Sequence, residues 1–304
     1  MMSETIPSAL HDQRIDRVVA LIADVSRSAT ASLIGAGGVT LDGVVVTAGK
    51  IKVREGQNIR VDTALLPTKE MPEADSSIIV SVVYSDADVI VVNKAPGIVV
   101  HPGAGNPRGT LVNGALAMFP EIAHVGDPLR PGVVHRLDAG TSGLMLLARS
   151  QPAYEALVLA LSERRVSRRY TALVWGHPKV ASGVIDAPIG RDHRDPTKMA
   201  VVVDGRFART KYEVRKSFIE PMDTALVECE LETGRTHQIR VHLASIGHPV
   251  VGDPTYGGAR SSLSSPRALL HAARLAFVHP GTGQEMVFDA DTPADMAEIV
   301  SRCH

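Results

Sequence analysis

The chain has 304 residues, of which 44% are hydrophobic and 21% are charged, a composition that fits a globular protein with one large domain and a small one. Its formal net charge of −1 excludes a strongly basic nucleic-acid binder, so any contact with nucleic acid must come from local basic patches. The two cysteines, Cys229 and Cys303, lie far apart, which argues against a disulfide framework and against a cysteine zinc site.

The first residues, Met1 to Thr5, lack the basic and then apolar pattern of a secretory signal. The longest apolar runs, such as Val18 to Ala23, are far shorter than the roughly 20 residues that a membrane-spanning helix needs. We therefore expect a cytoplasmic protein without a membrane role.

Two short helices are predicted near the start of the chain. Apolar residues follow a helical spacing from Arg14 to Ala23. Ser26 or Ser28 can cap a second helix that continues through Ile34, and the glycines that follow would end it.

A small sheet should follow these helices. Asp42 and Gly43 stand between two β-prone segments and predict a hairpin, because both residue types tolerate a positive φ. Further strands are expected at Lys50–Val53 and Asn58–Val61. We assign residues 14–64 to this module and residues 65–77, which gather proline and charge, to a linker.

The module resembles the S4 RNA-binding domain at two places, Ser26-Arg27-Ser28 and Gly38-Val39-Thr40. The resemblance implies that Arg27 and Lys50 lie against RNA phosphates, and such contacts position a protein without reading sequence. From Arg14 to Asp62 the chain has seven basic residues and five acidic ones, so we expect modest binding.

The remaining residues, 78–304, are predicted to form the main domain. Strands are expected at Ile78–Val83 and Val89–Val92. The most informative stretch is Arg130–Gly143, which is followed by the apolar run Leu144–Ala148. Its glycines allow sharp bends, so a short loop between two buried segments can display reactive groups.

That loop carries His135, Arg136 and Asp138. An acid beside an arginine on a rigid loop is a candidate nucleophile or base. From these residues alone, an inert surface ion pair between Arg136 and Asp138 is an equal alternative.

The string His135-Arg136-Leu137-Asp138, followed by Thr141-Ser142-Gly143-Leu144, resembles the signature of the RluA/RluD family of pseudouridine synthases. Four further blocks resemble the family in the same order along the chain, at Asn93–Gly103, Arg169–Val174, Ile189–Val201 and Ala268–Phe277. Several collinear blocks are far more specific than one motif. One departure is that Ala139 and Gly140 stand where the family more often has a lysine and an acid.

The resemblance implies an α+β catalytic domain built on a mixed, largely antiparallel sheet. It implies an enzyme that isomerises selected uridines in structured RNA to pseudouridine, with no metal or cofactor. By analogy with family members that carry an S4 domain, we expect large-subunit (23S) ribosomal RNA, or an assembly intermediate of that subunit, as the partner of a monomeric enzyme.

The resemblance also assigns roles at the predicted site. Asp138 would start cleavage of the glycosidic bond, either by covalent attack or by removal of a sugar proton, and the sequence leaves both open. Tyr170 would stack on the extruded uracil and handle the proton at C5, although the sequence without the resemblance favours a tyrosine that packs on the core at a strand edge. Arg136 would fill the vacated stack, and the pocket would be lined by His135, Leu137 and Leu270.

Arg235 is the expected partner of Asp138. A helix is predicted through about Ser245, closed by Gly247, and Arg235 would lie within roughly 40° of Ile239 on its apolar side. A guanidinium on a buried face needs a partner, because an unpaired buried charge is costly. The resemblance supplies Asp138, which Arg235 would keep ionised.

Two groups of basic residues are candidates for contact with RNA. Four arginines lie within Arg164–Arg169, and a second group lies between Arg191 and Lys198. A run of charge is usually a solvated face, but the resemblance favours RNA binding by Arg168, Arg169, Arg191 and Lys198.

Two other functions stay open from the sequence. The chain could be a non-catalytic S4-type RNA-binding factor in which Asp138 is structural. It could also be a metal-dependent hydrolase built on histidines, although no His-Glu-x-x-His motif occurs, and His237 and His242 would point from different faces of a helix. The target nucleotide, the number of sites and the oligomeric state cannot be deduced from the sequence.

Overall fold

The computed structural model describes residues 1–25, 27–66, 71–103 and 105–304, and it describes the backbone alone for Arg27 and Ser28. The chain divides into two compact units, Met1–Glu70 and Met71–His304. The predicted cap at Ser26 or Ser28 and part of the predicted linker, residues 67–70, lie outside the described residues.

The first unit packs two helices on a small antiparallel sheet. Its elements are β1 (Met2–Thr5), α1 (Ile15–Ile22), α2 (Arg27–Gly35), β2 (Val39–Leu41), β3 (Val44–Val45) and β4 (Asn58–Val61). The strands pair in the order β1-β4-β2-β3. Both helices are confirmed to within a residue or two of the sequence prediction, because α1 buries the apolar stripe that contains Ile15, Val18 and Val19.

The hairpin of the first unit is confirmed at Asp42 and Gly43, whose φ angles are 51° and 80°. The predicted strand at Lys50–Val53 is wrong. Within the described residues, Lys52 forms only an isolated bridge to Arg14, and the backbone of Val53 bonds to the loop before α1 rather than to a strand.

The second unit is built on a large sheet with helices on its faces. Its strands are β5 (Val82–Ser85), β6 (Val89–Lys94), β7 (Ser142–Ala148), β8 (Ser167–Trp175), β9 (Ser182–Asp186), β10 (Ile189–Arg191), β11 (Met199–Val201), β12 (Arg209–Phe218), β13 (Thr224–Leu231), β14 (Leu270–Val278) and β15 (Glu285–Asp289). Its α-helices are α3 (Leu111–Met118), α4 (Gln151–Ser162), α5 (Gln238–Ser245) and α6 (Ala294–Ser301). The main path is β5-β6-β7-β14-β8-β13-β12-β9, and β15 pairs with β14.

The predicted α+β class is confirmed. Among the described strand pairs of the large sheet, β7 with β14 is parallel and the others are antiparallel, so the sheet is mixed and largely antiparallel. The prediction for the first strand is only partly right, since Val82 and Val83 alone of Ile78–Val83 lie in β5.

The sheet separates two apolar layers. On one face, Val112, Ala115 and Leu116 of α3 lie in one buried apolar cluster with residues of β6, β7 and β8. On the other face, α4 buries Ala153 and Leu157 against the outer side of β7. None of the helices in the described residues has both the length and the apolar character needed to cross a membrane.

Strand β14 brings separate blocks of the sequence together. It pairs His271 and Ala272 with Ser142 and Gly143 of β7, and it pairs Ala272 with Tyr170 of β8. Gly143 has a φ of 110°, and a Cβ there would lie 2.3 Å from the carbonyl oxygen of Ala272, so only glycine permits this approach. The loop before β7 and the start of β8 therefore meet at one place.

Candidate active site

The loop Arg130–Gly143 is fastened to β7, as the sequence predicts. Val133 forms a backbone bridge with Leu147, and the ring Nε2 of His135 accepts a hydrogen bond of 3.0 Å from the backbone N–H of Leu146. A turn closed by the Thr141 N–H and the Asp138 carbonyl ends the loop. The Asp138 side chain is thus displayed from a rigid support.

Asp138 lies in a pocket between this loop, β8, α5 and β14. Leu137, Ile239 and Leu270 give the pocket apolar walls, and Tyr170 forms another side. The pocket contains about 340 Å³ of empty space, its open mouth included. The expected placement of Leu137 and Leu270 beside Asp138 agrees with this structure.

The partner of Asp138 is Arg240. Nη1 of Arg240 lies 3.1 Å from Oδ2 of Asp138, and the two side chains are 10% and 20% exposed. The predicted pair between Arg235 and Asp138 is therefore wrong. Arg235 instead donates from Nε to the carbonyl oxygen of Phe207 at 2.9 Å, although it still lines the pocket.

The error has a local cause. The helix α5 begins only at Gln238, and the preceding residue, His237, has a left-handed backbone with a φ of 57°. Because this residue interrupts the helix, Arg235 and Ile239 are not on one continuous helix, and the predicted angle of roughly 40° between them does not exist. Arg240 lies inside α5 and is buried, which is the position expected for the arginine that pairs with Asp138.

A second carboxylate holds Arg240 in place. Nε and Nη2 of Arg240 donate to the two oxygens of Asp253 at 2.6 and 2.9 Å, and Asp253 is fully buried. Burial opposes the charge on Arg240, but the hydrogen bonds and charge of Asp253, with a smaller contribution from Asp138, raise the pKa of Arg240 above its usual value. The guanidinium is therefore a fixed positive charge beside Asp138.

His237 borders the other side of the carboxylate. Its Nε2 lies 3.9 Å from Oδ1 of Asp138, and its Nδ1 lies 2.8 Å from the hydroxyl of Tyr256. Burial lowers the pKa of His237 despite the opposing charge of Asp138, so the ring is neutral at pH 7. Arg240 is thus the charged partner of Asp138.

Two buried cations hold the backbone just after Asp138. Nζ of Lys94 donates to the carbonyl oxygens of Ala95, Ile98 and Ala139 at 2.8, 2.9 and 3.1 Å. Arg267 donates from Nη1 to the carbonyl of Gly140 at 3.0 Å. The two residues that depart from the family pattern, 139 and 140, are therefore held through their backbone oxygens.

Tyr170 lines the same pocket as Asp138. The side chain is 4% exposed on β8 and lines the pocket, as the resemblance implied. Burial raises the pKa of Tyr170, so the phenol keeps its proton at neutral pH. The ring combines an apolar face with a polar tip, which suits contact with a nucleobase.

A larger cleft, here called the groove, opens from the pocket along α4. It shares Asp138, Tyr170 and Arg235 with the pocket and contains about 1,270 Å³ of empty space. Arg136 is exposed and lines both spaces, with Nη1 3.4 Å from Nε2 of His101. His135 and Arg168 lie on the groove wall, so the structure brings these predicted residues to the same site.

The other predicted RNA-binding residues of the second unit are not among the described residues that line the pocket or the groove. Arg169 pairs with Glu228 at 3.6 Å, and Lys198 pairs with Asp195 at 3.4 Å. Arg191 is exposed on β10, and Lys50 is exposed in the first unit. The side chain of Arg27 lies outside the described residues.

The histidines considered for a metal site bond to protein groups. His242 contacts the Thr210 hydroxyl and the Ala187 carbonyl, and His271 contacts Ser142. His248 contacts the Trp175 carbonyl. In the part of the chain that the structure describes, no three His, Cys, Asp or Glu side chains are grouped as a metal site would require.

Sequence reasoning missed the roles of Arg240, Asp253 and Lys94. Arg240 lies within the predicted helix, so its burial could have been inferred from a correct helix start. Arg240 pairs with Asp253, 13 residues further along the chain, and no periodic spacing of residue types predicts this contact. Lys94 belongs to the Asn93–Gly103 block and ends β6, and no sequence pattern indicated that its ammonium group would be buried.

Comparisons with known proteins agree with this geometry. Residues 88–245 match the family described as RNA pseudouridylate synthase. A relative from Chloroflexus aurantiacus with the name RNA pseudouridine synthase is 48% identical, over 98% of this chain and 92% of its own length. A relative from Xanthomonas campestris, with the name ribosomal large subunit pseudouridine synthase D, is 43% identical over 97% of this chain and 90% of its own length.

A solved structure shows the same fold. Human RNA Pseudouridylate Synthase Domain Containing 1 is 28% identical and matches with a TM-score of 0.58, over 73% of this chain and 86% of its own. The family match, the relatives and the pocket around Asp138 agree with one another. The chain belongs to the RluA/RluD family of RNA pseudouridine synthases and is an isomerase that converts uridine to pseudouridine in RNA.

Proposed function

We propose that this synthase modifies uridines of large-subunit (23S) ribosomal RNA and that Asp138 begins the reaction. One observation carries the catalytic part of the proposal: Asp138 lies 3.1 Å from a buried guanidinium, in a pocket with apolar walls and a tyrosine. The name of the Xanthomonas campestris relative supports the choice of RNA.

The reaction needs the target base outside its stack, because Asp138 lies inside a pocket of the protein and cannot reach a base that is still stacked in the RNA. An extruded uracil would lie between Tyr170 and the apolar walls formed by Ile239 and Leu270. Asp138 then starts cleavage of the bond between the base and the sugar. The base turns and rejoins the sugar through C5, and Tyr170 handles the proton that C5 loses.

Arg136 is placed to fill the space that the base leaves. Its side chain is exposed at the point where the pocket meets the groove, and a planar guanidinium can stack on the neighbouring bases. Arg235 lines the same entrance, and we assign it to contact with RNA rather than to Asp138.

The other contacts with RNA lie on basic residues outside the pocket. We assign residues 14–64 to an S4-like domain in which Arg27 and Lys50 contact phosphates, residues 65–77 to a linker, and residues 78–304 to the catalytic domain. Arg169, Arg191 and Lys198 would extend the contact on the catalytic domain. We propose that the enzyme acts in the cytoplasm as a monomer.

The two other functions considered from the sequence are less well supported. An RNA-binding factor without catalysis would not need a carboxylate and a fixed guanidinium in a pocket with apolar walls, and family membership does not favour it. A hydrolase built on histidines would need grouped ligands, whereas His237, His242 and His271 each bond to a hydroxyl group of the protein.

Mapping pseudouridine in ribosomal RNA tests the proposal. RNA would be taken from a strain without the gene and from the same strain carrying either the wild-type gene or the Asp138→Asn variant. We expect one or more 23S positions to lose pseudouridine in the first strain, with recovery only from the wild-type gene. An unchanged 23S pattern, with the loss appearing in transfer RNA, would contradict the proposed substrate.

A further inference from the structure

We propose that Arg168 and His135 form a buried subsite for a phosphate group of the RNA next to the extruded uridine. This inference rests on the proposed function, because it takes RNA as the ligand of the groove. It goes further by naming which buried groups bind the backbone and which part of the substrate they recognise.

Arg168 is a buried cation that has no hydrogen-bond or ion-pair partner among the side chains that the structure describes. The residue is 8% exposed, and its Nε is buried without any hydrogen-bond acceptor among the described residues. Its guanidinium makes no ion pair within the described part of the chain. Such a group is costly to bury, so its retention on the wall of a cleft indicates a ligand that supplies the missing acceptors.

The neighbouring arginines differ from Arg168 in this respect. Arg164 pairs with Glu232, Arg165 with Glu163 and Arg169 with Glu228. These three side chains are each 42% or more exposed. The cluster that looked uniform in the sequence therefore contains three solvated ion pairs and one buried cation that faces the groove.

His135 provides a second unsatisfied donor beside Arg168. Its Nε2 accepts the bond from Leu146, which leaves the proton on Nδ1, and Nδ1 is buried without an acceptor in the described residues. Burial and, to a smaller extent, the charge of Arg168 lower the pKa of His135 to about 3, so the ring is neutral at pH 7. Both line the groove.

The charge of the groove favours an anion. Its lining includes Arg130, Arg136, Arg168 and Arg235, whereas Asp138 is the one carboxylate among the described lining residues and already pairs with Arg240. Phosphate oxygens are strong acceptors for a guanidinium. A polynucleotide backbone supplies such oxygens, together with the unpaired base that the adjoining pocket receives.

The position of Arg168 fits a phosphate near the target base. Arg168 and Tyr170 lie two residues apart on β8, on the same face of the strand, so their attachment points are about 6.6 Å apart. That distance is comparable with the reach from a base to the phosphates of its own nucleotide. Gly234 leaves room for the guanidinium, because a Cβ there would lie 3.0 Å from Nη1 of Arg168.

Arg168→Met tests the subsite, with Arg168→Lys as the conservative variant and Arg274→Met as the matched control. Arg274 is an exposed arginine that pairs with Asp289 and does not line the groove. The probe is an unmodified 23S RNA transcript, bound at several salt concentrations. Arg168→Met should weaken binding roughly 10- to 100-fold and reduce the salt slope by about one unit. Arg168→Lys should keep the slope.

Urea unfolding of the proteins without RNA measures their stability, and this measurement distinguishes a phosphate-binding role of Arg168 from a purely structural role. Arg168→Met should be as stable as the wild type or more stable, because the change removes an unpaired buried charge. Inorganic phosphate, exchanged for chloride at constant ionic strength, should stabilise the wild type and the control more than Arg168→Met. This comparison tests the subsite even if the wild type does not bind the transcript.

Two results would overturn the inference while leaving the proposed function intact. The first is an Arg168→Met protein that is less stable but binds the transcript with unchanged affinity and salt slope, which would make Arg168 a structural residue. The second is equal stabilisation of all variants by phosphate, which would mean an adventitious ion only. Failure of the wild type to modify any uridine would instead refute the proposed function.

Discussion

Arg240→Lys and Arg235→Lys test which arginine supports Asp138. The structure gives Arg240 a two-pronged contact with Asp253 and a separate contact of 3.1 Å with Asp138. Lysine keeps the charge but has one nitrogen, so it cannot hold both carboxylates in this geometry. We expect the introduced ammonium group to stay with the fully buried Asp253, since leaving that carboxylate alone would be more costly.

The expected loss follows from the broken contact. A hydrogen bond between charged groups contributes about 1.5–3 kcal/mol, and Asp138 is only 20% exposed, so solvent replaces little of it. At about 1.4 kcal/mol for each factor of ten, kcat should fall roughly 10- to 100-fold. Arg235→Lys should instead raise KM with a much smaller effect on kcat, because Arg235 bonds to a backbone carbonyl at the groove.

Tritium release measures the chemical step. RNA labelled at C5 of uridine loses tritium when the base rejoins the sugar through C5, and single-turnover conditions separate this step from binding. Urea unfolding checks that both variants fold. A fall in kcat for Arg235→Lys, with Arg240→Lys unaffected, would refute the assignment of Arg240.

Three further predictions concern other residues of the site. Tyr170→Phe keeps the ring but loses the phenol, so RNA affinity should be nearly unchanged while tritium release falls about 100-fold or more, and unchanged release would exclude a proton-transfer role. Lys94→Met removes the donor to three carbonyls and should lower the free energy of unfolding by about 2 kcal/mol or more, which an unaltered urea midpoint would contradict. Burial lowers the pKa of His135 to about 3, so between pH 6.5 and 3 the unfolded chain binds a proton that the folded protein does not. Stability should therefore fall by about 1.4 kcal/mol per pH unit below 6.5, and His135→Gln should remove this part of the slope in urea titrations at several pH values. Parallel pH profiles for the two proteins would be inconsistent with a His135 ring that stays neutral in the folded protein.

The sequence correctly predicted those helices and turns that depend on interactions between residues close together in the chain. The helix α1 followed from apolar spacing, and the hairpin followed from Asp42 and Gly43, which take positive φ angles. The strand predicted at Lys50–Val53 failed because its residues bond to a loop rather than to another strand. Alternation of residue types does not specify the pairing partner.

The residues of the site that belong to sequence motifs could be predicted. The contacts between residues far apart in the sequence could not. Asp138 and Tyr170 were expected at the pocket, and both line it. The contact between Arg240 and Asp138 joins residues 102 positions apart and depends on the left-handed backbone at His237, which no sequence pattern indicated. The special position of Arg168 was hidden because a run of arginines looks uniform until the strand and its acidic neighbours are known.

The central claim is that Asp138 starts the chemistry, and Asp138→Asn tests it most directly. Asparagine has nearly the same shape, and Arg240 keeps its pair with Asp253, so the variant should fold and bind RNA as the wild type does. Under single-turnover conditions, with saturating protein and tritium-labelled 23S transcript, we predict no detectable tritium release by Asp138→Asn beside complete release by the wild type. Release at the wild-type rate would contradict the account.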